Sequence, residues 1–306
     1  MIIRLMGPTA SGKTQLAIQL AERLACEIIS VDSAMVYRGM DIGTAKPSAA
    51  ELAMIPHHLI NICDPLDPFS AGRFCEEAHH LIREIQSRHK IPLLVGGTLL
   101  YFYWLQQGFA DLPQANESIR QAISIRASQQ GWPHLHHELQ QIDPSTALHI
   151  HPNDGQRIQR ALELYYSSGQ TMAALQSAQR LQPLSMPMIT LVIAHEDRAR
   201  LHRRIEERFD GMLKKGLVEE VESLYRRGDL NDCLPSIRTV GYRQIWAYLA
   251  GEYSAEEMRE RVLAATRQLA KRQYTWLRRW PEAQWIFSER SDLYPATLSF
   301  IEKTLH

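Results

Sequence analysis

The sequence predicts an α/β protein in which a parallel sheet is covered by helices on both faces and interrupted by a helical insertion. Three observations predict it. Short apolar runs alternate with helical patterns through the first third of the chain. Those runs do not alternate apolar with polar, as strands buried on both faces do not. The strand signal then vanishes over residues 113–186 and returns once, at 189–194. A buried strand must pair its backbone groups, so the returning strand is expected to rejoin the first sheet.

Taken in order, Ile2–Met6 is an apolar run ended by Gly7-Pro8. Lys13–Leu24 carries Leu16, Leu20 and Leu24 at a spacing of four, one face of a helix. Residues 27–31 form a second run, closed by Asp32-Ser33, and 58–62 a third. Residues 74–86 have helical spacing through Phe74, Ala78, Leu81, Ile82 and Ile85. Residues 91–95 are an apolar strand broken by Gly96-Gly97. The middle segment, rich in Gln and His, offers helices at 118–129 and 156–166. After 189–194, Arg198 opens a helical stretch reaching about Pro281. The predicted organisation is a core of 1–112 and 187–306 with an insertion of 113–186.

The chain has 306 residues, 45% hydrophobic and 22% charged, with 34 basic and 34 acidic side chains. Such a composition excludes disordered, collagen-like and disulfide-scaffold classes. No apolar run approaches membrane-spanning length. Cys26, Cys63, Cys75 and Cys233 form no C-x-x-C pair and read as free thiols of a reducing cytoplasm. No secretory signal is visible at the start. His134, His136 and His137 lack metal-site spacing and read as surface residues of the insertion.

Gly7-Pro8-Thr9-Ala10-Ser11-Gly12-Lys13-Thr14 is G-x-x-x-x-G-K-T between a strand and a helix, the context this phosphate loop requires. Glycines let the backbone N–H groups converge on an anion, and the helix N-terminus adds positive potential. Lys13 brings a full charge to a phosphate, and the Thr14 hydroxyl is a Mg²⁺ ligand. ATP, GTP and a bare diphosphate all satisfy this loop. The fold class is therefore a P-loop nucleotide-kinase-like sheet. The second apolar strand ends in Val95-Gly96-Gly97-Thr98, without the acidic Mg²⁺ ligand usual in nucleotide hydrolysis. Asp32 follows its own strand directly, which sets a carboxylate at the ligand-binding edge of the sheet as general base or metal partner; a helix N-cap is the plainer alternative.

Net neutrality conceals an uneven distribution. Residues 1–112 hold 9 basic and 11 acidic side chains, 113–186 hold 5 of each, and 187–280 hold 18 and 14. From Arg261 to Trp280 there are six basic residues and no acid. On a helical wheel, Met258, Val262, Leu269, Trp276 and Trp280 form one arc and Arg261, Arg267, Lys271, Arg272, Arg278 and Arg279 the other. That reads as a packed face backing a cationic strip for a phosphate backbone.

The run from Asp32 to Pro47, DSAMVYRGMDIGTAKP, together with GPTASGKT, resembles the bacterial tRNA dimethylallyltransferases, also called tRNA isopentenyltransferases. The resemblance continues through Pro56-His57-His58-Leu59, Asp64-Pro65, Phe69-Ser70-Ala71, Asn153-Asp154, RIQRALE from Arg157, RTVGYRQ from Arg238 and TRQLAKRQ from Thr266, to Thr275-Trp276. It spans nearly the whole chain. The longer eukaryotic members add a zinc finger, for which this chain has no cysteine pattern.

The resemblance implies transfer of a dimethylallyl group from dimethylallyl diphosphate to N6 of the adenosine 3′-adjacent to the anticodon (position 37) of tRNA. Asp32 would take the amine proton and Thr98 would share the site. Arg208, by analogy with basic groups that close over phosphates in this fold, is expected to reach the diphosphate; a solvated helix face is the plainer alternative. Gly7 to Thr14 would hold the leaving group, with Mg²⁺ on Thr14. The adenine would be flipped out of its loop. The resemblance places tRNA contacts at Asp32, Ser33, Ala34, Met35, Thr98 and Arg120; at Gln156, Arg157, Ile158, Gln159 and Arg160; at Arg238, Thr239, Val240, Gly241, Tyr242 and Arg243; and at Thr266, Arg267, Gln268, Leu269, Ala270, Lys271, Arg272 and Gln273. The expected partner is the tRNA anticodon stem-loop, met by a cytoplasmic monomer. Two other readings stand beside this one: a small-molecule kinase using ATP, with Asp32 activating a hydroxyl, and a non-catalytic RNA-binding module.

Overall fold

The apolar runs that open the chain become the middle of one sheet, because each strand can satisfy its backbone only between two neighbours. In this computed structural model, residues 1–108, 112–113, 116–178, 183–184 and 186–305 are described. Two units divide the chain, Met1–Tyr103 with Ser185–His306, and Trp104–Leu184.

The first unit holds strands β1 (Ile2–Met6), β2 (Cys26–Val31), β3 (His57–His58), β4 (Ile91–Gly96), β5 (Met188–Ala194) and β6 (Gln284–Phe287). They form a six-stranded sheet in the order β3-β2-β4-β1-β5-β6, with every pairing parallel. The expected return of the late strand is met: β5 lies beside β1, with Ile3 opposite Ile189. Every residue of β1 and β2 is buried, as unalternating strands require. Helices α1 (Lys13–Leu24), α2 (Ala49–Met54), α3 (Ala71–Ser87) and the start of α4 (Leu99–Gln107) follow the early strands. Ile3, Leu5, Leu16, Leu20, Leu93, Leu191 and Ile301 share one core between sheet and helices.

Two strand expectations change. Residues 58–62 do not continue β3, because Leu59 and Asn61 take φ of 62° and 57°, outside extended geometry. The strand pattern returns twice, not once: β6 adds an edge strand to β5. Four residues, three of them polar or only partly buried, carry too little periodicity to mark a strand.

The second unit is helical: α5 (Glu117–Gln130), α6 (Trp132–Ile142), α7 (Pro144–Ala147), α8 (Gly155–Ser168) and α9 (Met172–Ala178), with no strand among the described residues. Ile123, Leu135, Leu139, Ile158 and Leu162 form its own core. The unit begins before the expected residue 113 because α4 runs unbroken past Tyr103. His136 is buried there, its Nε2 within 3.2 Å of the Ala147 oxygen and 2.9 Å of that of Ile150, so it is no surface residue. His134 and His137 are exposed.

The first unit closes with α10 (Arg198–Lys214), α11 (Leu217–Tyr225), α12 (Tyr242–Leu249), α13 (Ala255–Leu277) and α14 (Leu293–Leu305). Among the described residues no helix is long and apolar enough to cross a membrane. Cys26, Cys63 and Cys75 are buried and Cys233 is exposed, and none of the four is in a disulfide.

Candidate active site

The carboxyl edge of the sheet gathers the ends of β1, β2 and β4, and close approach there demands glycine. A Cβ on Gly7 would stand 2.1 Å from the Ile193 oxygen, and one on Gly96 2.0 Å from that of Val31. Gly12 has φ 84° and Ala10 φ 63°, a left-handed geometry that an alanine adopts only at a cost of about 1–2 kcal/mol. α1 begins at Gly12 with no side-chain cap and no acid in its first turn. Its leading N–H groups therefore face an anion site without an internal competitor.

Lys13 folds back over the loop, donating from Nζ to the Pro8 oxygen at 2.6 Å and to Ser11 Oγ at 3.3 Å. Burial pushes its ammonium down to about 7; the Arg208 charge adds to that shift and Asp32 opposes it. The Arg208 guanidinium is likewise lowered by burial and supported by Asp32. It projects from α10 into the same cleft as Ile205, Phe209 and Met212, and not from a solvated helix face.

Asp32 ends β2. Its Oδ1 accepts from the Ala34 N–H at 2.8 Å and the Met35 N–H at 3.2 Å. No helix starts here, so Asp32 is not an N-cap: one oxygen holds the turn after β2, and the other is left for chemistry. Thr98 joins it: its N–H donates to the Val31 oxygen at 3.2 Å and its Oγ1 accepts from the Ser33 N–H at 3.1 Å.

The long motif after Asp32 is a loop shaped by a residue that had no signature. Glu220 on α11 accepts from the N–H groups of Asp41 (2.8 Å), Ile42 (2.7 Å) and Gly43 (3.1 Å), and from the Tyr242 hydroxyl. A Cβ on Gly43 would stand 2.5 Å from the Tyr242 ring. Lys46 ties the same loop through Asp41 Oδ1 at 2.6 Å.

Together these elements enclose a cleft of about 640 Å³. Its phosphate-loop end carries Lys13, Thr14, Asp32 and Arg208. Its body is apolar, with Ala17, Ile28, Leu99, Phe209, Leu269 and Trp276 among the walls. Such a cavity suits a ligand with a charged head and a small hydrocarbon tail. Thr14 lines it, and its hydroxyl makes no hydrogen bond among the described residues. With the Asp32 carboxylate, it offers the oxygen donors that Mg²⁺ shares with a phosphate chain.

Several expected tRNA-contact residues line this cleft: Ser33, Ala34, Met35, Thr98, Arg238, Thr239, Val240, Gly241, Thr266, Leu269, Arg272 and Gln273. Others do not present themselves to a ligand. Tyr242 is wholly buried and Ala270 belongs to the core. Gln273, although it lines the cleft, has its amide spent on bracing the loops: its Oε1 accepts from the Thr9 N–H and its Nε2 donates to the Gly97 oxygen, each at 2.9 Å. Arg243, Gln268 and Lys271 are exposed and Arg267 is half-buried.

In the helical unit, Ile158 is core. Arg120 and Arg160 both pair with buried Glu163. The Gln159 amide donates to the Arg120 oxygen and to Ser124 Oγ. Only Gln156 and Arg157 of the 156–160 run point fully outward.

The basic helix does not divide into the two expected arcs. Met258 and Trp280 pack inward with Leu263, Ala270 and Leu277, whereas Leu269, Trp276 and the buried Val262 line the cleft. Arg272, three residues from Leu269 and four from Trp276, joins that cleft face. Arg261 pairs with Glu257, and the Arg279 guanidinium lies 4.3 Å from the Trp276 ring centroid. The cations thus divide between cleft and surface and form no single strip.

The IPP transferase family model matches residues 35–280. The chain is 58% identical over 301 residues to a tRNA dimethylallyltransferase of Coxiella burnetii, covering 98% of this chain and 97% of that one. It is 55% identical over 285 residues to the tRNA dimethylallyltransferase of Methylococcus capsulatus, covering 93% and 91%. Among solved structures it resembles the full-length tRNA isopentenylpyrophosphate transferase of Bacillus halodurans, with 36% identity, TM-score 0.73 and coverage of 99% and 96%. It also resembles a eukaryotic dimethylallyltransferase acting on tRNA, with 28% identity, TM-score 0.78 and coverage of 99% and 79%.

Proposed function

The chain belongs to the IPP transferase family, and we propose that it transfers the dimethylallyl group of dimethylallyl diphosphate to N6 of the adenosine 3′-adjacent to the anticodon of tRNA. The products are N6-(dimethylallyl)adenosine and diphosphate. The observation that carries this reading is the two-part cleft, a cationic phosphate cradle that includes the one lining carboxylate, Asp32, and opens into a largely apolar chamber.

The diphosphate sits in the loop, where backbone N–H groups, Lys13 and Arg208 take up the charge that develops as the allylic C–O bond breaks. The five-carbon tail lies against Phe209, Leu269 and Trp276. The adenine amine attacks the allylic carbon, a C–N bond replaces the C–O bond, and Asp32 accepts the amine proton. Thr98 holds the Ser33 backbone beside that carboxylate. Thr14, with Asp32 nearby, would hold Mg²⁺, which supplies further charge for the departing diphosphate. Arg238, Thr239 and Arg272 at the cleft receive the flipped nucleotide and its phosphates. The enzyme works on the anticodon stem-loop as a monomer in the cytoplasm.

A kinase usually carries an acid after the strand that β4 represents; here β4 runs into Gly97-Thr98. The test is incubation of unmodified tRNA, Mg²⁺, labelled dimethylallyl diphosphate and γ-labelled ATP with the protein. Prenyl label in RNA is expected; phosphate transfer from ATP without prenylation overturns the reading.

A further inference from the structure

A second group of side chains closes on the phosphate loop from behind, and the chemistry above does not use it. His195 follows β5 directly and is only 8% exposed. Its Nε2 stands 3.0 Å from the Ala10 oxygen. A carbonyl can only accept, so the ring carries a proton on Nε2. On its other side Nδ1 meets Glu289 Oε1 at 2.8 Å and Ser288 Oγ at 2.9 Å. The Tyr274 hydroxyl accepts from the His195 N–H at 3.0 Å and donates to the His195 oxygen at 2.9 Å. Tyr274 of α13 therefore fixes the His195 backbone, Glu289 and Ser288 in the turn after β6 orient the ring, and its Nε2 proton is spent on a single loop carbonyl.

That carbonyl belongs to Ala10, the residue the loop holds at φ 63° without the licence of a glycine. In a trans peptide the C=O and the following N–H point in opposite directions. With the Ala10 oxygen drawn towards His195, the Ser11 N–H is turned away from it, towards the concave side of the loop. We propose that His195, oriented by Glu289, is a positioning residue of the cradle: it locks the Ala10–Ser11 peptide so that the Ser11 N–H faces the diphosphate. The inference rests on the reading of the loop as a diphosphate site.

The test is calorimetric titration of the full-length protein with inorganic diphosphate and Mg²⁺, joined to steady-state kinetics on tRNA. His195→Leu is expected to weaken diphosphate binding and raise the donor KM about tenfold, the weight of one well-made hydrogen bond, while tRNA affinity stays within about twofold. His195→Gln, which retains an N–H donor, is expected to recover most of that loss. Glu289→Ala keeps the ring and frees its orientation, and should weaken diphosphate by a smaller factor. A His195→Leu or Glu289→Ala protein that binds diphosphate as wild type does overturns the inference, as does a Gln variant no better than Leu. Wild type that binds no diphosphate would instead refute the reading of the loop itself.

Discussion

Replacing Asp32 by Asn removes a proton acceptor while preserving a shape. Asp32 Oδ1 accepts the Ala34 and Met35 N–H groups at 2.8 and 3.2 Å, and an asparagine oxygen can accept both. The turn that opens the long loop is therefore kept, whereas Asp32→Ala would leave two donors without a partner and blur the result. What disappears is the acceptor for the N6 proton. A positioned base is worth about 10²–10⁴ in rate, or about 2.7–5.4 kcal/mol of barrier at about 1.36 kcal/mol per decade. Loss of the carboxylate also changes the field at Lys13 and Arg208, both of which it supports. Binding effects are removed by measuring a single turnover with enzyme and donor saturating, quenched and read as label in tRNA. The expected outcome is a chemical step slowed by at least about 100-fold with tRNA affinity nearly unchanged. A rate within about threefold of wild type would refute the assignment of Asp32 as base.

Diphosphate affinity should fall as pH rises through about 7, because the lowered Lys13 ammonium of the free enzyme is charged below that value and neutral above it. Lys13→Arg, which stays charged, should flatten the slope between pH 6 and 9, and an equal slope in both proteins contradicts the assignment. Gln273→Leu leaves the Thr9 N–H unpaired and takes from the Gly97 oxygen one of its two donors, the Leu99 N–H remaining at 3.1 Å, and should lower stability by about 1–3 kcal/mol, read by urea denaturation. Ile158→Ala should cost about 2–5 kcal/mol as a core cavity, and Arg157→Ala close to nothing; equal effects would return Ile158 to the surface. Replacing Lys271 and Arg272 together by Ala should reduce the salt slope of tRNA binding by about 1–2, and an unchanged slope places the RNA elsewhere.

What could be read in the sequence was what is local. The phosphate loop is eight consecutive residues with a strand before and a helix after, and β1, β2, β4 and β5 are buried runs whose hydrophobicity needs no tertiary context. The capping box of α2, Ser48 with Glu51, is equally local. What escaped depends on residues far apart in the chain. Glu220 shapes residues 41–43 from about 180 positions away, and an acid on an ordinary helix has no signature. Gln273 looks like one more polar residue of a basic helix until its amide is seen between Thr9 and Gly97. The wheel of α13 assumed two faces, one packed and one wet, whereas the helix has a third face on the cleft.

The most direct measurement is the product balance of one reaction. Unmodified tRNA, Mg²⁺ and dimethylallyl diphosphate are incubated with the protein, free diphosphate is quantified, and the tRNA is digested to nucleosides for mass spectrometry. The account predicts one diphosphate released for each N6-(dimethylallyl)adenosine formed, at the adenosine 3′ to the anticodon, with no phosphate transferred from added ATP. Diphosphate release without prenylated adenosine, or ATP consumed in its place, would contradict it.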